Sequence, residues 1–234
     1  MGAFAGPDIV ENGLVLALDA GNRKSYPSPF TGFTWSDLSG NGRTGTLNGT
    51  INGGVGYSGL NGGNLTFDGT DDFVTVSMVN PFAETIIVWA KSATSNWNQN
   101  GWISSSRAQN GHIIHPNSGT RDVYYYVGNS TGVGFDGEIN FYTPGDITIP
   151  HMYSYSTNGS NLHKGYFDGT EVVSKTTSIT RTTSPSNQVW HLGKDDNFNR
   201  FGNGNIYACL RYNRALTATE IQQNFNATRS RYGV

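Results

Sequence analysis

Strand-like runs recur every 8–15 residues from Phe73 to Tyr212, and the gaps between them are rich in Gly, Asn, Ser and Thr. No other feature constrains the fold as strongly. Short apolar runs punctuated by turn residues build sheets packed on sheets, whereas βαβ units need a helix in each gap. The runs are Phe73 to Val76, Ile86 to Trp89, Val123 to Val127, Phe135 to Phe141, Met152 to Tyr155, Gly165 to Phe167, Val189 to Leu192 and Ile206 to Tyr212. An earlier run spans Leu14 to Leu18. Ile86 to Trp89 is apolar throughout, the pattern of a strand buried on both faces. Asn158-Gly159 and Asp168-Gly169 are hairpin signals, because both pairs tolerate the positive φ of a tight turn.

Helical spacing is convincing only at the end of the chain, from Ala218 to about Arg229. Thr217 and Glu220 form a capping box, Leu216 and Ile221 occupy the staple positions, and Ile221, Phe225 and Tyr232 trace an apolar stripe that stops at Gly233. The expected fold is therefore all-β: a two-sheet antiparallel β-sandwich with one short C-terminal helix. Residues 1–13, with small residues around Gly2, Gly6, Pro7 and Gly13, read as an N-terminal arm, and 14–234 as one domain. The long polar stretch from Asp19 to Asn64 needs anchors, for which Leu47, Ile51, Val55 and Leu60 are the candidates.

Composition narrows the function classes. Charged residues make up 14% of the chain, well under the ~25% of an average soluble domain, and the net charge is −2. No basic face is available for nucleic acid or for an anionic membrane. No run approaches the ~18 apolar residues of a membrane span, and Met1 to Leu18 lacks the basic start of a signal peptide. The single cysteine, Cys209, excludes an internal disulfide and is expected to be a buried thiol.

Four segments, in this order and spacing, resemble the concanavalin-A-like, laminin-G-like superfamily. They are Leu14 to Asn22 with Trp35 to Gly42, Leu65 to Val74 with its Phe67-Asp68-Gly69 turn, the Tyr166-Phe167-Asp168-Gly169 hairpin, and Gly204 to Ile206 followed by Arg211 to Thr217, Glu220 and Ile221. The opening segment and the Tyr212-Asn213-Arg214-Ala215-Leu216-Thr217 close are similar to the version found in structural proteins of tailed bacteriophages. The resemblance implies a jelly roll of two curved sheets, and roles in glycan binding, adhesion or particle assembly.

Asp136 and Glu138 share a strand face, as a glycosidase pair must. The related glucanases carry a further acid where this chain has Asn140, so catalysis is not expected. Three G-x-G-x-x-G matches, at Gly40, Gly54 and Gly132, lack the helix that a nucleotide site requires. His112 and His115 would point to opposite faces of a strand, with no third zinc ligand in view. Relatives bind calcium, for which Asp195, Asn197 and Asn199 offer oxygens at alternate positions, although the Gly and Glu of an EF-hand loop are missing. Trp97, Trp102 and Trp35 lie in polar sequence and are the candidates for stacking on sugar rings.

The expected function is a non-enzymatic virion structural protein of a bacteriophage, capsid-decorating or tail-associated. Its expected partners are other virion proteins, further copies of itself and host or environmental glycans. It would be made in the host cytoplasm and released by lysis. The alternatives are a free carbohydrate-binding lectin-like module and, well behind it, a glycoside hydrolase. Structural calcium is the one cofactor left open.

Overall fold

The computed structural model describes residues 8–27, 32–49, 56–97, 104–106, 109–130, 135–143, 145–183, 186–195 and 199–234. Its strands are β1 (Leu14–Asp19), β2 (Thr34–Trp35), β3 (Gly45–Asn48), β4 (Gly56–Ser58), β5 (Asn64–Asp68), β6 (Phe73–Asn80), β7 (Glu84–Ser92), β8 (Ser104–Ser106) and β9 (His112–Pro116). They continue with β10 (Asp122–Gly128), β11 (Phe135–Tyr142), β12 (His151–Thr157), β13 (Leu162–Phe167), β14 (Thr170–Thr176), β15 (Ser186–Leu192), β16 (Lys194–Asp195), β17 (Arg200–Phe201) and β18 (Asn203–Tyr212). One helix follows, α1 (Ala218–Tyr232).

Two antiparallel sheets face each other. The first runs β14-β13-β12-β7-β18-β5-β4, and β1 joins the same edge of β18 that β5 occupies further along. The second runs β11-β10-β9-β8-β15-β6-β3-β2. Strand alternation fills the space between them. Ile86, Val88 and Ala90 of β7 meet Val74 and Val76 of β6, Tyr125 of β10 and Trp190 of β15, all fully buried. This is the expected two-sheet sandwich, with its helix at the C-terminus.

A second core explains why β7 is apolar throughout. Its alternate residues, Ile87 and Trp89, join Tyr207, Leu210 and Tyr212 under α1, where they meet Ile221 and Tyr232. Trp89 lies parallel to Phe225 and donates from Nε1 to Thr228 Oγ1 at 2.9 Å. A bulge in β18 between Ile206 and Ala208 sets Ile206 and Cys209 toward the inner core while Tyr207 and Ala208 face the helix. The capping box forms as its residues require: Thr217 Oγ1 accepts from Glu220 N at 3.2 Å, and Glu220 Oε2 accepts from Thr217 N at 2.8 Å. The helix runs three residues past Arg229, the end read from the sequence, because Tyr232 still packs inward before Gly233 turns left-handed at φ 82°. Cys209 is the buried thiol expected.

Several local expectations are corrected. Leu60 is 75% exposed and anchors nothing, and Ile51 and Val55 lie outside the described residues. Leu47 packs against the core as expected, and the stretch after β1 is further tied down by Trp35 and Tyr26, both buried, and by the Asp37 carboxylate. Asp37 accepts from the amides of Ala17, Ser39 and Arg43 and from Ser39 Oγ, at 2.8–3.1 Å. Burial alone would raise its pKa, but these donors outweigh that and hold it below the ordinary carboxylate value. The Asn158-Gly159 pair opens a four-residue loop rather than a two-residue turn, because Asn158 Oδ1 caps the amides of Ser160, Asn161 and Leu162. Asp168-Gly169 is the tight turn expected, with φ of 48° and 80°. The described part of the arm, residues 8–13, lies along the domain. Val10 is buried beside α1, donating from its amide to Asn224 Oδ1 and accepting from Tyr212 Oη, each at 2.9 Å.

One end of the sandwich is closed by a polar cluster that spans both sheets. Glu84, at the start of β7, is fully buried. It accepts from Arg211 of β18 at 2.7 and 3.1 Å and from Arg181 at 3.3 Å. Arg211 also donates to Asn80 Oδ1 of β6 at 3.0 Å, and Asn80 donates to Ser106 Oγ of β8 at 3.0 Å. Burial opposes ionisation of Glu84, yet Arg211, His112 and Arg181 outweigh it and hold the carboxyl below its usual value. His112 accepts from Trp190 Nε1 at 2.6 Å through Nε2, which places its own proton on Nδ1, facing Glu84. Burial pushes its pKa down to about 3, so the 3.9 Å approach to Glu84 is not an ion pair at neutral pH.

Removing Glu84 strands two buried guanidinium groups. Glu84→Ala should lower the unfolding free energy by about 3–5 kcal/mol in urea titrations, and a loss under 1 kcal/mol would contradict the hub role. A pH effect follows from His112. Unfolded, its pKa is near 6.5; folded, it is lower, so only the unfolded chain gains a proton as pH falls below about 6.5. Wild type should therefore lose stability relative to His112→Gln by about 1.4 kcal/mol per pH unit between pH 6 and 4.5. Parallel stability curves for the two proteins would refute this.

Candidate functional site

The two sheets differ in what lies outside them. α1 covers the outer face of the first, while the outer face of the second carries side chains that are partly exposed. On β10 the alternation is strict: Val123, Tyr125 and Val127 are fully buried, so Tyr124 and Tyr126 point outward. Tyr124 pairs across the strand with His115 of β9 and with Asn140 of β11, which is exposed. The rings of His115, Tyr124 and Tyr126 stand near-parallel, within 8–14° of one another, with centroids 5.5–6.0 Å apart. His115 is oriented by Nδ1, which lies 3.1 Å from the Pro116 carbonyl. Such rings offer an apolar edge and face with a hydroxyl or imidazole nitrogen at the rim.

The register extends this face across the sheet. Tyr126 opposes Ile113, Ile113 opposes Ser105, Ser105 opposes His191, and His191 opposes Thr75, which opposes Thr46. Beside the last three strands lies a groove of about 430 Å³, lined by Arg43, Thr44, Thr46, Thr75, Ser77 and Val189. Val189 is 47% exposed, an apolar patch among hydroxyl groups. At the end of β6, Phe73 packs against His191 and Phe201, and Lys194 Nζ sits 4.4 Å from the Phe73 ring centre. With strands about 4.8 Å apart, the Tyr124–Tyr126 pair lies roughly 14–19 Å from the groove. Aromatic rings stand at one end of this face and hydroxyls with a guanidinium at the other, with the buried Ile113 and Ser105 between them.

The tryptophan candidates fall elsewhere. Trp97 is buried, packing edge-on against Tyr153 at 5.9 Å, and Trp35 is fully buried. Neither presents a ring to solvent, and Trp102 lies outside the described residues. Trp97 was misread because its sequence neighbours are polar. Its backbone pairs with Thr120 and Gly119, and that pairing turns the ring inward. The tyrosines were missed, although their signal was present: in Val123-Tyr124-Tyr125-Tyr126-Val127 the flanking valines fix which tyrosine faces the core.

The metal and acid candidates fare differently. Asp195 is buried on β16 with its backbone opposite Arg200, Asn199 is exposed, and Asn197 lies outside the described residues. Gly137 and Glu138 of β11 pair with Val127 and Tyr126, but the Asp136 and Glu138 side chains lie outside the described residues. His112 faces the core and His115 faces outward, opposite as expected. A different acid cluster, Asp68, Asp71 and Asp72, closes the turn between β5 and β6. Burial pushes Asp72 up to about 7, with the charges of Asp68 and Asp71 adding to the shift.

No protein-family model matches the chain, and no curated protein matches it. Solved structures match it in fold. The binding domain of botulinum neurotoxin DC, in complex with rat synaptotagmin II, aligns with a TM-score of 0.70 at 15% identity over 94% of this chain and 52% of that one. The same domain in complex with SialylT gives 0.69 at 14% identity over 93% and 52%. Domain 4 of AbnA, a GH43 extracellular arabinanase from Geobacillus stearothermophilus, in complex with arabinotriose, gives 0.62 at 17% identity over 93% of this chain and all of that one. The chain thus spans about half the length of the botulinum chains and the whole of the arabinanase domain. At such identities the likeness establishes a common β-sandwich fold.

Placing Trp97 in the core has a measurable consequence. Trp97→Ala should cost about 3–5 kcal/mol of stability in urea unfolding, as large core truncations do. A variant as stable as wild type would contradict its burial.

Proposed function

We propose that this chain is a glycan-binding β-sandwich module without catalytic activity, and that the outer face of the second sheet is its binding surface. The observation that carries the reading is the stack of His115, Tyr124 and Tyr126 on the same face as the hydroxyl-lined groove. Sugar rings present C–H faces to aromatic side chains and hydroxyls to polar ones, and this surface supplies both. Support comes from the structural neighbours solved in complex with SialylT and with arabinotriose, which share the fold.

A second reading concerns where the module works. The resemblance of Leu14 to Asn22 and of Tyr212 to Thr217 to structural proteins of tailed bacteriophages favours a place on a virion, as a capsid-decorating or tail-associated component. There the binding face would meet host or environmental glycans. Antibody detection of the protein on purified particles tests that placement, and finding it only free would remove it.

On a glycan array the wild-type protein should bind a defined subset of oligosaccharides. Tyr124→Ala and Tyr126→Ala, at half-exposed positions, should each weaken that binding by about tenfold, the loss expected for a stacked ring worth roughly 1.4 kcal/mol. Their melting temperatures should stay near wild type, and the bound sugars should be recovered uncleaved. Unchanged binding in both variants would refute the surface, and turnover of any bound sugar would refute the non-enzymatic reading.

A further inference from the structure

Asp68, Asp71 and Asp72 each place one carboxylate oxygen within 4.8 Å of the other two, the one such group of three among the described residues. Exposed acidic turns are common without a ligand, but Asp72 is not exposed. It is fully buried. Its Oδ2 accepts from the Asp68 amide at 3.1 Å, while Oδ1 is enclosed and meets no donor among the described residues. A buried charged carboxylate oxygen without a donor is unfavourable, and is relieved either by protonation or by a positive group that faces it. Glycine keeps the space beside it clear. Gly49 has φ +128°, and a Cβ built there would lie 2.3 Å from Asp72 Oδ1 and 3.3 Å from Asp71 Oδ1. Two carboxylate oxygens, one from Asp71 and one from Asp72, therefore lie close together beside the Gly49 backbone. Asp68 is held in place alongside them, because its Oδ1 accepts from the Thr70 amide at 2.8 Å.

We propose that Asp68, Asp71 and Asp72 bind one hard divalent cation, calcium foremost, with Asp72 Oδ1 as the buried ligand. The donor set is all oxygen and carries up to three negative charges, which selects hard cations over zinc or copper. The ligands come from one turn and leave room for waters, which suits the irregular coordination of calcium better than the strict octahedron of magnesium. The next residue, Phe73, begins β6 and packs against His191 and Phe201 on the outer face, so the cation would brace one end of that surface. The site stands independently of the glycan reading.

The test uses the full chain, stripped with EDTA and returned to calcium-free buffer. Calcium chloride should bind at one ion per chain in calorimetry and should raise the melting temperature. Asp72→Asn should weaken calcium binding about tenfold or more while keeping the side-chain shape. Asp71→Asn, at a half-buried position, carries the same expectation should Asp72→Asn fail to fold. Absence of both heat and a melting shift in wild type would overturn the proposal, as would calcium binding of equal strength in the variants.

Discussion

Glu84 and Arg211 lie on neighbouring strands of one sheet, and through Asn80 and Ser106 their hydrogen bonds reach the other. Hydrophobic burial drives the two sheets together but is itself non-directional. A guanidinium–carboxylate pair is directional, because a slip of one residue would point Arg211 out of the cluster and deprive the buried Glu84 of its shortest hydrogen bond. Burying this pair stabilises little by itself. Its contribution is to permit one alignment of β7, β18 and β6, and that alignment sets which residues of β9, β10 and β15 face outward.

The two faces of the sandwich then take different roles. The middle of the first sheet, at β7, β12 and β18, is buried on both sides, with α1 sealed down by Trp89, Tyr207 and Tyr232 and tied at its end by Arg231, which forms an ion pair with Asp19 at 2.6 Å. Residues 8–13 add to that seal through Val10. The second sheet is left as the surface on which polar and aromatic side chains stand outward, at the His115–Tyr124–Tyr126 stack and again along His191, Thr75 and Thr46, with Ile113 and Ser105 buried between.

Much of this was legible in the sequence wherever local physics decides the outcome. The capping box, the Asp168-Gly169 turn, the double burial of Ile86 to Trp89 and the buried Cys209 all follow from spacing and neighbours. Trp97 and Leu60 were not legible, because sequence neighbours report exposure only when the backbone partner is also local. Trp97 pairs with the turn around Thr120, and nothing near Leu60 gives it a surface to bury against. The binding face was half legible: alternation on β10 points Tyr124 and Tyr126 outward, but their stacking on His115 depends on the β9–β10 register, which no single segment encodes. The Glu84 cluster was invisible, since its members are scattered from Asn80 to Arg211 and meet only in the folded chain.

A ligand on the outer face of the second sheet leaves a different footprint from one on the helix-covered side. Backbone amide chemical shifts, followed by two-dimensional NMR as a bound oligosaccharide is titrated, tell the two apart most directly. Shifts concentrated at His115, Tyr124, Tyr126, Thr75, Ser77 and Val189 are the predicted result. Shifts concentrated instead around Leu38, Thr228 and Arg231, or around Gly169 and Gln222 beside α1, would contradict it.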